Sequence, residues 1–245
     1  MFTPREFNIS ISEDEMYKIP QQGLTNLLEL LDKYKIKSTF FTTANFAKKQ
    51  PKIIKNLINN EHEIASHGYS HSFSDQTFDK IKKAKKEIEK ITQTKIKGFR
   101  APRFKINNIS ELYDLGFVYD SSLHPTFIPG RYNNLSKPRK IHKIGNIIEI
   151  PPTTMPITRL PLFWIAFKNF GLNYVKLVTQ TNFLSSDYTM IVQHPWEFAD
   201  LSQIKIPNYI KNKSGKELLN MLERYILFCK KRNYGFESIE RYLNL

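Results

Sequence analysis

Two histidines four residues apart, His67 and His71, stand in the segment S-H-G-Y-S-H, directly after a strand-like run, E-I-A-S. That spacing places both imidazoles on one face of a helical turn, where they can converge on one metal ion. A metal used for hydrolysis takes a third protein ligand and keeps positions open for water and substrate. The acidic cluster Glu13-Asp14-Glu15 offers such a ligand, although acids also gather where a helix begins. Arg100, in G-F-R-A-P-R-F, ends another strand-like run and can hold a carboxylate or other anion. His194, in I-V-Q-H-P-W-E-F, follows the most apolar run of the chain and suits a general acid. Tyr69, Pro102 and Trp196 flank these motifs and are the candidate substrate contacts. Trp196 reads equally well as a sugar-covering ring or a core tryptophan. His62 reads as a packing histidine, and His124 as a loop residue near the cleft.

These groups need strand ends to carry them, and the pattern supplies strands alternating with helices. Phe7, Ile9 and Ile11 alternate with polar residues as a short strand. Residues 21–34 carry Leu24, Leu27, Leu28 and Leu31 at helical spacing. A β-rich run at 37–43, a helix opened by Pro51, the strand E-I-A-S, and a Lys/Glu-laced helix over 78–94 follow. Strands are expected at 96–99, 116–119, 147–150, 189–193 and 234–237. Helices are expected at 108–115, 174–184 and 214–232. Such alternation predicts a parallel α/β fold, most simply a barrel with its active site at the carboxyl ends of the strands. Residues 123–170, rich in proline and aromatics, read as long loops. The whole of 1–245 reads as one domain.

Composition narrows the classes. Eighteen Phe, 12 Tyr and two Trp argue against disorder. One cysteine, Cys229, cannot form an intramolecular disulfide, which fits a reducing compartment. The N-terminus has no long apolar core of a signal peptide, and no run is long enough to span a bilayer. A cytoplasmic protein is therefore expected. The formal net charge of +14 favours anionic partners. No nucleic-acid motif accompanies the charge. The basic, aromatic stretch 159–178 reads as a core helix, or as a segment lying on an anionic membrane surface.

Taken together, the motifs resemble the polysaccharide deacetylase family, the NodB-homology domains of carbohydrate esterase family 4. The segment from Ile36 through S-H-G-Y-S-H is similar to that family's second strand and its His-x-x-x-His motif. Arg100-Ala101-Pro102 resembles its Arg-x-Pro motif, Val192-Gln193-His194 its late hydrophobic-x-His motif, and Y-D-S-S-L-H-P at 119–125 the segment between them. The resemblance runs over about residues 7–240. It implies a deformed (β/α) barrel of about seven parallel strands and one divalent metal ion, usually zinc. It also implies hydrolysis of an N-acetyl group on an amino sugar, in a glycan or lipid-linked saccharide of the cell envelope. By the same resemblance, His67, His71 and an Asp bind the metal, His194 protonates the leaving amine, and Arg100 orients the base carboxylate.

The first motif departs from the family. There a base acid precedes a metal-ligating Asp, adjacent to it or one residue apart. Keeping Ile9 and Ile11 in strand alternation puts Ser12 at the base position and Asp14 at the ligand position. The other register makes Glu13 the base and Asp14 the ligand, at the cost of the alternation. A serine hydroxyl does not take a proton from water near neutrality as a carboxylate does. The chain is then a slow deacetylase using Glu13 or Glu197 as base, a binding protein without turnover, or a carrier of a replaced residue. Some relatives of the family act on cyclic amides, so a non-sugar C–N bond remains a further substrate class.

Overall fold

The computed structural model describes residues 12–245, with the side chains of Glu13 and Phe73 apart. The expected strand at Phe7–Ile11 lies outside them. The chain packs as two compact units, each assembled from discontinuous segments. One comprises residues up to Ile36 and Thr153–Gly235; the other comprises Lys37–Pro152 and Phe236–Leu245.

The helical unit opens with α1 (Glu13–Lys33). Ser12 is its N-cap. The Ser12 hydroxyl accepts from the Glu15 backbone N–H at 3.2 Å, and the Ser12 backbone N–H donates to Glu15 Oε2 at 3.0 Å. This reciprocal capping box starts the helix eight residues earlier than Leu periodicity indicates. Pro20, which ordinarily marks a boundary, lies inside α1. Leu24, Leu27, Leu30 and Leu31 form the buried stripe.

The sheet unit follows: β1 (Thr39–Thr42), α2 (Ala44–Lys49), α3 (Pro51–Asn59), β2 (Glu63–Ser66), α4 (Phe78–Thr92), β3 (Gly98–Phe99), β4 (Tyr119–Asp120), β5 (Phe127–Ile128), β6 (Tyr132–Asn133), β7 (His142–Ile144) and β8 (Ile147–Glu149), with α8 (Ile239–Tyr242) at the chain's end. Six strands form one sheet in the order β1-β2-β3-β4-β8-β7. All neighbours are parallel except the β7–β8 hairpin. The fold is thus α/β with a mostly parallel sheet. Strand β2 is buried at all four residues, as a central parallel strand should be. Gly98 lets the Tyr119 ring cross β3: a Cβ there would lie 2.0 Å from that ring. Helix α4 buries Ile81, Ala84 and Ile88 as its spacing predicts.

The rest of the helical unit is α5 (Trp164–Asn182), α6 (Asn208–Lys211) and α7 (Lys216–Lys230). Three expectations change. Five parallel strands are present among the described residues, rather than about seven. Residues 189–193 form only a single bridge, Val192 to Phe163, and 234–237 form no strand. Their apolar content packs without making a ladder. The loop-rich stretch ends at Phe163, because α5 begins at Trp164 and continues past a kink at Gly171, where φ is 80°. Residues 108–115 form a tight 3-10 turn, not an α-helix.

Candidate active site

At the carboxyl end of the sheet, the chain leaving β2 is tied down by its neighbours. The His67 N–H donates to Thr42 O at 2.7 Å, and the Arg100 N–H donates to Ser66 O at 2.9 Å. Gly68, at φ 74°, turns the chain, and its carbonyl accepts from Ala44 N–H at the start of α2. His67 Nδ1 lies 2.6 Å from the Arg100 carbonyl, which can only accept, so Nδ1 carries the proton. In that tautomer Nε2 is the unprotonated nitrogen, and a hydrogen bond from Nδ1–H to a carbonyl is the usual support of a ligating histidine. The His71 ring lies 5.5 Å from that of His67. The donor chemistry of these two histidines fits a divalent ion.

The third donor expected from the sequence is Asp14. Asp14 lies in the first turn of α1, in the helical unit, exposed and paired with Lys18 at 3.4 Å. Among the described residues no three His, Cys, Asp or Glu side chains gather as a metal-binding group. Ser12 is a helix cap, and its hydroxyl donates to Glu15 Oε2 at 2.7 Å. Glu13 opens the same helix. The acidic cluster is therefore, in its structure, the N-terminus of a helix.

Arg100 is buried. Its Nε donates to Ser121 O at 3.0 Å and a terminal NH₂ to Ser121 Oγ at 2.7 Å, while the guanidinium lies 4.1 Å from the centre of the Phe41 ring. Burial lowers its pKa to about 10, against the pull of Tyr119, Asp120, Glu149 and Glu63. It remains a cation near neutrality. Pro102 is buried, and the next two residues, Arg103 and Phe104, hold φ of 58° and 56°. Two successive side-chain-bearing residues in the left-handed region mark stored strain beside the site. Tyr69 is half-buried, with Lys80 and Lys83 over its ring at 5.3 and 5.5 Å.

Sequence reasoning missed the carboxylates behind Arg100. Asp120 and Glu149 are register partners on β4 and β8, and both are fully buried. Burial raises the pKa of each; Asp120 raises that of Glu149 further. Two carboxylates buried side by side do not readily both ionise, which favours a proton retained on the pair. Asp120 accepts from Ser122 N–H and Oγ at 3.0 and 2.7 Å, and Glu149 accepts from Leu123 N–H at 2.9 Å. A lone acid within the apolar run I-I-E-I was the available signal. The buried His124 faces Tyr132 Oη at 3.0 Å, and burial, then Arg100, lowers its pKa to about 3. It is neutral in working conditions. His62 is also buried and accepts the Ser38 N–H at 3.2 Å, a packing role as expected.

In the helical unit, His194 precedes a 3-10 turn, Pro195–Phe198. Its Nδ1 lies 3.0 Å from Glu197 Oε1, and its backbone N–H donates to the same oxygen at 2.7 Å. Glu197 Oε2 meets Lys168 Nζ at 3.3 Å, with both side chains fully buried. Glu197 is thus held on His194 and Lys168, not free to act as a base for water. Trp196 stacks on His194 at 5.4 Å, and it is buried with Ala199, Leu201, Ile206 and Ile210. Burial of Trp196 fits the core reading.

The match to known proteins follows the motifs. Residues 3–119 match the family model described as polysaccharide deacetylase. That stretch is similar to the polysaccharide deacetylase family. Two curated relatives narrow the comparison. A peptidoglycan deacetylase of Helicobacter pylori is 31% identical over 115 residues, which are 44% of this chain and 39% of that protein. The peptidoglycan-N-acetylmuramic acid deacetylase PdaA of Bacillus subtilis is 32% identical over 94 residues, 36% of this chain and 35% of that protein. The matched stretches thus span well under half the length of these relatives. The crystal structure of a putative polysaccharide deacetylase from Mycobacterium smegmatis shares the fold, with TM-score 0.61 at 16% identity over 98% of this chain and 81% of that one.

Proposed function

We propose that this chain hydrolyses the N-acetyl group of an amino sugar in a glycan or a lipid-linked saccharide, with the aid of one divalent metal ion, zinc by preference. The supporting observation is the His67 tautomer fixed by the Arg100 carbonyl, with His71 beside it, inside a sequence matched by the deacetylase family. His67 and His71 would hold the ion. A bound ion would supply Lewis-acid polarisation of the acetyl carbonyl and of water. This chain's residues do the rest. Water adds to the carbonyl carbon, the C–N bond breaks, and the departing amine takes its proton from His194; the acetic acid formed gives up its proton to the solvent, from which His194 is reprotonated. Tyr69, which is half-buried, would contact the sugar. Arg100, held on Ser121, orients the region where the base carboxylate stands in the family.

Elemental analysis after dialysis against trace zinc is the first test, with acetate release from N-acetylglucosamine oligomers and peptidoglycan. About one metal per chain is expected, lost in His67→Ala/His71→Ala. An unchanged content in the double variant would sink the site.

A second reading, glycan binding without turnover, is favoured by Ser12, which caps α1 where the family carries a base. Ser12→Asp is expected to raise acetate release about 10²-fold, the usual scale of general-base catalysis. The setting we propose is a cytoplasmic protein at an anionic lipid surface. No helix among the described residues is long and apolar enough to cross a membrane. Residues 150–186 contain no acid, and Ile157, Phe170, Leu177 and Leu184 are exposed. Flotation with anionic vesicles at low salt should carry the protein upward; failure to float removes this setting.

A further inference from the structure

We propose that Glu197 and Lys168 are positioning residues for His194: the carboxylate of Glu197 fixes the Nδ1–H form of the imidazole, and buried Lys168 fixes that carboxylate. The inference rests on the reading of His194 as the acid that protonates the leaving amine.

Glu197 reaches His194 twice, at Nδ1 and at the backbone N–H, both through Oε1. The ring therefore cannot turn over without losing a charge-assisted contact. Its other oxygen is engaged by Lys168 at 3.3 Å. Lys168 comes from α5, within the apolar run W-I-A-F-K-N-F, and it is fully buried. Its ammonium also donates to the Ile210 carbonyl and lies over the rings of Trp164 and Trp196, at 5.1 and 5.5 Å. A lysine bears the cost of burial when its charge is needed by a partner. The partner is Glu197, whose carboxylate would otherwise be a lone buried anion.

The other neighbours add no charge. The His194 ring is stacked on Trp196 and meets Trp164 edge-on at 5.2 Å. Ile19 and Ile204 pack against the same core, and Asn26 Nδ2 donates to Phe198 O at 2.9 Å. Among the described residues, the ionisable groups joined in this cluster are His194, Glu197 and Lys168. With Nδ1 held, Nε2 is the nitrogen left to deliver a proton. The anion behind the ring stabilises the imidazolium from which that proton comes.

The test has a part that needs no substrate. Long-range ¹H–¹⁵N spectra of wild type should show neutral His194 protonated on Nδ1, and Glu197→Gln and Lys168→Met should weaken that preference. A wild-type ring protonated on Nε2 overturns the proposal. With N-acetylglucosamine oligomers as probe, Glu197→Gln should lower kcat about 10²-fold with KM within about threefold, and Glu197→Asp should recover part of the loss. Should Lys168→Met not fold, Lys168→Met/Glu197→Gln, which removes both charges, takes its place. Unchanged kcat and an unchanged His194 tautomer in Glu197→Gln, while His194→Ala is inactive, would leave the acid reading intact and reject the positioning role. Full activity in His194→Ala would instead remove the acid reading and this inference with it.

Discussion

In the sheet unit, Asp120 and Glu149 meet across adjoining strands, acid against acid; in the helical unit, Glu197 meets a lysine and a histidine. The carboxylates of both clusters are buried, yet they balance charge by different means. Strand register put the two acids side by side, and burial then obliges them to keep a proton. Helix α5 instead brings a cation to its acid from 29 positions earlier in the chain. The first solution makes stability depend on pH, and the second makes it depend on a partner side chain. Substitutions and pH should separate the two.

The largest effect is expected from Lys168→Met. Removing one member of a buried pair leaves an uncompensated charge and costs about 3–5 kcal/mol. Lys168→Met/Glu197→Gln should regain much of that loss, since a neutral pair carries no stranded anion. Urea denaturation of the single and double variants measures the coupling. Additive losses in the double variant would mean that the two side chains do not act as a pair.

Gly23→Ala tests how the His194 turn is held. A Cβ at Gly23 would lie 2.0 Å from Pro195 O and 2.9 Å from Ala199 N, all backbone contacts. Helix propensity alone would make alanine better by about 1 kcal/mol. Overpacking against backbone costs about 1–3 kcal/mol, and it should win, because neither partner is a flexible side-chain end. The thermal midpoint should fall and the His194 resonances should shift. A rise in midpoint would show that α1 retreats freely from the turn.

The acid pair gives the next effect. In the folded state Asp120 and Glu149 bind protons more tightly than in the unfolded chain, because burial raises both. Their contribution is present below the ordinary carboxylate range and is lost as pH rises through the raised values. The slope approaches about 1.4 kcal/mol per pH unit for each proton retained. His124 acts in the opposite direction: its folded value is about 3, so stability falls as pH drops below the ordinary histidine value. Glu149→Gln keeps an acceptor for the Leu123 N–H and adds a donor for Asp120. It should flatten the alkaline loss and leave the acid loss untouched. Denaturation midpoints across pH 5–9 decide it; an unchanged alkaline slope would show that the two acids do not share a proton.

Legibility in the sequence follows the same division. The ends of β2 and β3 were readable because short strand-like runs are closed there by His67 and Arg100, a local signal. The parallel α/β class was readable from alternation. The Asp120–Glu149 and Lys168–Glu197 pairs were not, since register and helix packing join residues 29 positions apart in each case. A polar residue inside an apolar run, Glu149 in I-I-E-I or Lys168 in I-A-F-K-N-F, was the trace left by both. The segments 189–193 and 234–237 misled because apolar, β-prone composition reports burial as much as pairing.

The smallest effect belongs to Ser12, and it separates two roles that one residue can hold. As an N-cap it satisfies the Glu15 N–H, and Ser12→Ala should cost about 1 kcal/mol. Aspartate caps as well as serine, and the positive end of α1 favours another acid. Ser12→Asp should therefore leave the thermal midpoint nearly unchanged. The cap has a pH signature of its own. Hydrogen bonds from Ser12 hold the Glu15 carboxylate below its usual range, so their help is present above the ordinary glutamate value and lost on acidification. The gap in midpoint between Ser12→Ala and wild type should narrow as pH falls. If Ser12→Asp matches wild type in stability and gains turnover, the position limits chemistry and the cap is incidental to it. If it matches in stability and gains nothing with the metal site loaded, Ser12 is only the start of a helix, and the base lies elsewhere in the first motif.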